Sequence, residues 1–170
     1  MNYNNLRMSL RIGVIIPIVI MSVFAPTLIV SPAMASPHFI KTPTIEKNSN
    51  FSLTAHFNAT GLSNLSTTAF LCSSGGDSGL ICANLQQKGY PSKLYNFNEL
   101  KGPALTIKPV DGNISNSSIV GPPQLPSASD FCSISTLNVK IVSITYEGVV
   151  LHIQQNGADV LTFNFGNVDP

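Results

Sequence analysis

Residues 137–165 read LNVKIVSITYEGVVLHIQQNGADVLTFNF. Leu137, Val139 and Ile141 alternate with polar neighbours, the period-2 signature of a strand with one buried face. Val142, Ile144 and Tyr146 carry the alternation on in the opposite phase, which predicts a bulge near Ile141 and Val142. Val149, Leu151 and Ile153 follow on the same face. Asn156-Gly157 is the strongest short hairpin signal, because both central residues of that turn need positive φ. Leu161, Phe163 and Phe165 then form the return strand.

The same period recurs upstream. Phe51, Leu53, Ala55 and Phe57 point one way and Ser52, Thr54, His56 and Asn58 the other, until Thr60-Gly61-Leu62-Ser63 ends the run. Leu65–Cys72, Leu80–Leu85 and Leu105–Val110 are further strands, the last bounded by Pro103 and the Asp111-Gly112 turn. No segment sustains an i, i+3, i+4, i+7 pattern. Short strands with frequent turns predict an all-β chain, a single antiparallel Ig-like β-sandwich. Gly121 to Pro126 reads as an irregular crossover within that domain.

The first 35 residues stand apart. Arg7 and Arg11 precede an uncharged apolar stretch, Ile12 to Val30, and Ala33-Met34-Ala35 is a small-x-small cleavage site. That order is a secretory signal peptide, spanning 1–35 and followed by a domain at 36–170. The rival is an uncleaved anchor, since the stretch approaches the ~20 residues that cross a bilayer. In either case the domain is exported, to the cell surface or as a secreted protein.

From Ser36 onward the chain holds seven lysines and eight acidic residues, and no Arg, Trp or Met. Without a basic patch, nucleic acid has no electrostatic footprint to follow. A membrane is a partner only if the leader stays attached.

GGDSG, Gly75 to Gly79, resembles the nucleophile stretch of trypsin-like proteases. Ser78 has no suitable base and acid ahead of it, Leu80 replaces the trailing glycine, and the chain is too short for a double barrel. The stretch reads instead as a flexible hairpin loop between strands. Of Cys72, Cys82 and Cys132, the pair Cys82–Cys132 would pin two distant strands and is preferred, while Cys72–Cys82 would clip a hairpin. The leftover Cys72 would be a buried thiol. No Cys-x-x-Cys, copper, calcium or phosphate-loop pattern is present, so no cofactor and no metal are predicted. Only a spatial convergence of His38, His56, His152, Asp77, Glu99 and Glu147 would make an acid–base or metal site.

Asn50, Asn58, Asn64, Asn113 and Asn116 each begin an Asn-x-Ser/Thr sequon and are candidate glycosylation sites. The segment Asn84 to Asn98, with Tyr90, Tyr95 and Phe97, is the candidate binding loop, because aromatics beside amides suit sugar or protein contact.

Pro37-His38-Phe39-Ile40, Gly61-Leu62-Ser63, Cys82-Ala83-Asn84 with Pro91 and Asn96, Cys132, and Ser143-Ile144-Thr145-Tyr146-Glu147 come in that order. The order resembles an uncharacterised group of small exported prokaryotic β-sandwich proteins whose mature chain opens Pro-His-Phe-Ile. Ile144-Thr145 is inserted relative to the group's last block. The resemblance implies a secreted Ig-like sandwich with Cys82 and Cys132 paired, and it carries over no activity to this chain. With acids sparse and no acid–base pair at a convincing spacing, the function expected is non-enzymatic recognition of envelope glycan or protein. The alternatives are a structural envelope component and, less favoured, a small extracellular enzyme.

Overall fold

Alternating apolar residues build ten strands in a computed structural model that describes residues 35–83, 93–132 and 137–169. The first five are β1 (His38–Lys47), β2 (Leu53–Thr60), β3 (Thr67–Ser73), β4 (Gly75–Ala83) and β5 (Lys93–Phe97). The rest are β6 (Leu100–Lys101), β7 (Leu105–Ile107), β8 (Ile114–Val120), β9 (Asn138–Gln155) and β10 (Ala158–Val168). One helical turn, α1 (Ala128–Phe131), follows the Gly121–Pro126 crossover and is capped by Ser127, whose side chain accepts from the Asp130 N–H.

Two antiparallel sheets result. One runs β1-β2-β8; the other runs β5-β4-β9-β3-β6, with β10 also on β9 and β7 also on β3. The inner faces meet in one core, in which Leu53, Ala55, Phe57 and Ala59 of β2 join Ala69 and Leu71 of β3 and Val149, Leu151 and Ile153 of β9. This is an all-β sandwich.

The two C-terminal strands form as the alternation predicts. Asn156 (φ 53°) and Gly157 (φ 76°) make the turn between β9 and β10. The phase slip is a bulge: Gly79 pairs with Ser143 but Leu80 with Ile141, leaving Val142 as the extra residue, 47% exposed. A second irregularity at Gly148 (φ 53°) brings Val149 back to the face of Tyr146, and both are fully buried.

Three expectations change. Phe51 precedes β2, in a turn with φ 66°, and does not continue the strand. Val110 lies beyond β7, 71% exposed, in an isolated bridge to Asn113. The stretch GGDSG is no loop. It opens β4, an interior strand paired with β5 on one edge and β9 on the other.

β3 and β4 in fact lie end to end along β9. Cys72 pairs with Val150 and Gly75 with Glu147, a single register carried past Ser74. Residues 67–83 and 138–155 thus form one long ribbon, bent where Ser74 faces Gly148. The Ser74 N–H and both the Ser73 and Ser74 hydroxyls converge on the Glu147 carbonyl there. At its far end Cys82 is bonded to Cys132, within a small cluster that includes Leu137.

Candidate functional site

Gly76 shows why glycine opens β4. A Cβ on it would run into the Thr145 carbonyl oxygen and lie 2.8 Å from the Phe97 ring. The next inward residue, Ser78, is wholly buried, and its hydroxyl donates to the Tyr95 carbonyl at 3.2 Å. That serine is a sheet residue with its proton committed, not a group offered to a substrate.

Phe97 is buried with its ring 5.7 Å from that of Tyr146, and half-buried Tyr95 packs against the same core. Both belong to strand β5, so neither forms part of an exposed aromatic loop. Asn84 and Tyr90 lie outside the described residues.

The acid–base candidates are scattered. His38 is exposed, with Nδ1 2.9 Å from the Ser36 carbonyl. His56 meets Glu46 at 3.1 Å on the β1-β2 surface. His152 meets Asp159 at 3.0 Å across β9 and β10. Asp77, Glu99 and Glu147 join neither pair, and no three metal-ligating groups converge among the described residues.

The His152 pair belongs to a larger stack on the outer face of the bigger sheet. The imidazole lies on the Phe70 ring at 5.0 Å and 13°, and Lys101 Nζ stands 4.0 Å over that ring. The ring is therefore only 5% exposed although it points away from the core. Burial works against ionisation of Asp159, but hydrogen bonds from Gln154 and His152 and the imidazolium charge outweigh it and hold the carboxyl low. Cys72 is free and half-buried beside this stack. Burial pushes its thiol up, Glu99 and Asp159 add to that, and Lys101 only opposes it. Its thiolate is thus disfavoured at neutral pH.

The other sheet offers a true concavity. The β1–β2 register slips between Phe39 and Lys41 and again between Lys41 and Thr44, so β1 carries two extra residues within a short span of the ladder. Pro43, buried at the second slip, has no N–H to give the ladder. Beside these bulges opens a groove of about 360 Å³ lined by Lys41, Thr42, Thr44, His56, Phe57, Asn58, Ser115, Asn116 and Ser117. Registers place Lys41 opposite Asn58, Thr44 opposite His56, and Ser117 and Ser115 of β8 opposite His56 and Asn58. The wall is thus built of an ammonium, an imidazole, amides and hydroxyls. Sequence reading missed this site because β1 has no clean alternation; the one local signal was the polar phase of β2.

No protein-family model matches the chain, and neither a curated protein nor a solved structure matches it.

Proposed function

We propose that this is an exported cell-surface or secreted β-sandwich that recognises a hydroxyl-rich envelope glycan without chemically altering it. The groove beside β1 carries the reading: its lining offers both donors and acceptors in a concavity of about 360 Å³. Neutral donors and acceptors outnumber charges there, which suits sugar hydroxyls better than an ionic ligand. The absence of catalysis is inferred from the buried Ser78, the raised Cys72 thiol and the pairwise separation of histidines and acids.

Export is read from the leader pattern. The Cys82–Cys132 bond is compatible with it. No helix among the described residues is long and apolar enough to cross a membrane. The resemblance to small exported Ig-like sandwich proteins points the same way.

Binding of purified envelope polysaccharide to the full mature chain tests the site. His56→Ala and Asn58→Ala are expected to weaken binding about tenfold each, the loss of roughly one good hydrogen bond. Asn96→Ala, on the other sheet, should bind as the parent does. Equal affinity across all three variants would remove the groove from consideration.

A further inference from the structure

Five sequons are present in the sequence, and the fold treats them very differently. Transfer of a glycan to asparagine needs a free side-chain amide, a reachable hydroxyl two residues on, and a backbone that can leave the surface to enter an enzyme. Each sequon can be judged on those three requirements.

At Asn50 the third residue fails. Ser52 is 1% exposed, and its hydroxyl donates to Asn50 Oδ1 at 2.7 Å while accepting from Asn48 Nδ2 at 2.8 Å. Asn58 and Thr60 lie in β2, the middle strand of its sheet, held by β1 on one side, and Asn58 by β8 on the other. Asn113 donates its amide to the Asp111 carbonyl at 2.9 Å, is bridged by its backbone to Val110, and runs into β8. Asn116 is within β8, and its partner Ser118 is 4% exposed.

Asn64-Leu65-Ser66 differs in the exposure of its acceptor and hydroxyl and in lying outside the ladders. Its backbone is held only by side chains: Gln155 Nε2 donates to the Ser63 and Leu65 carbonyls at 3.0 and 3.2 Å, and Thr67 Oγ1 to the latter at 3.3 Å. All three residues are exposed, Leu65 by 47%. They fall in the connection between β2 and β3, outside any strand. Asn64 also borders a cleft of about 360 Å³ shared with Gly61, Leu62 and Asp111, which leaves space beside the amide for a first sugar ring.

We infer that Asn64 is the glycan acceptor of the folded domain. Its Nδ2 would attack the anomeric carbon of a lipid-pyrophosphate-linked oligosaccharide. A C–N bond forms, the anomeric C–O bond breaks, the lipid pyrophosphate departs, and the amide loses one proton. The inference rests on the domain being exported. It also leaves Asn58 and Asn116 bare in the groove proposed to bind glycan, where an attached sugar would fill the site.

The full chain with its leader, produced in a host that N-glycosylates exported proteins, decides the matter by intact mass and peptide mapping. A second, unrelated acceptor protein in the same cells reports that the machinery works, and recovery outside the cytoplasm reports export. The exported protein should carry one glycan, on the peptide containing Asn64. Asn64→Gln and Ser66→Ala should each remove that mass, Ser66→Thr should keep it, and Gln at the other four asparagines should leave it unchanged. Exported protein without glycan beside a modified reporter would overturn the inference, as would a glycan on any other sequon with Asn64 bare. Retention in the cytoplasm would instead defeat the export reading, and the acceptor assignment with it.

Discussion

Tyr146 has one hydroxyl proton and two carbonyls to satisfy. Its oxygen lies 2.8 Å from the Phe51 carbonyl and 3.0 Å from that of Gly121, so the larger sheet is tied to the start of β2 and the end of β8 by a single side chain. Removing that hydroxyl leaves both carbonyls without this donor. Tyr146→Phe should therefore cost about 1–3 kcal/mol in urea unfolding, more than a typical surface hydrogen bond. Burial also pushes the phenol up to about 12 from its usual 10. A raised folded value means that the stabilisation is complete below pH 10 and fades as pH climbs through 12. In that window the folding constant should fall up to about tenfold per pH unit more steeply in the parent than in Tyr146→Phe. Asp159 has the reverse sign. Its carboxyl is held low, so its contribution is present above the ordinary aspartate range and vanishes as pH drops through the folded value. Acid titration of unfolding should be shallower in Asp159→Asn. Glycines separate by what surrounds them. Gly157 (φ 76°) has open space where a Cβ would sit, so Gly157→Ala should cost about 1–2 kcal/mol of backbone strain alone. Gly76→Ala adds a collision with the Thr145 carbonyl and should be the more damaging of the two in the same unfolding assay.

Among the elements, the ribbon of residues 67–83 against 138–155 sets the architecture, and the Cys82–Cys132 bond closes its end. The cysteines are separated by 50 positions, and chain entropy then favours the bonded form by about 4 kcal/mol. Substituting both by Ala should lower the thermal midpoint by roughly 10–15 °C, while Cys72→Ala, outside the bond, should change it far less. How far these elements could be read from the sequence depended on the range of their causes. The alternation in β2, β9 and β10 was plain because one face of each is buried, and the bulge at Val142 showed as a slip of phase. GGDSG was misread because glycine, serine and aspartate favour turns locally. Their real reason, the closeness of Thr145 and Phe97, lies far along the chain. The groove was hidden for a similar cause. It follows from a mismatch of β1 with β2 around Pro43, which neither segment records alone. Phe97 looked like a binding aromatic because nothing near it in sequence names Tyr146 as its neighbour.

At the scale of the molecule, one sheet presents a polar groove and the other a stacked cluster of Lys101, Phe70, His152 and Asp159. The cluster fills its own aromatic surface, whereas in the groove Thr44 and Ser115 stand exposed beside the His56–Glu46 pair. The ribbon bears on how such a molecule comes to exist at all. β3 and β4 emerge from any ribosome or translocation channel long before β9, the strand that both must flank. No N-terminal portion of the chain can complete the larger sheet in the interim. The strands made first must wait, unpaired along that edge, until β9 has been threaded through. A transport apparatus that accepts only unfolded chains would thus find this one still pliable, and folding would be timed by the arrival of β9.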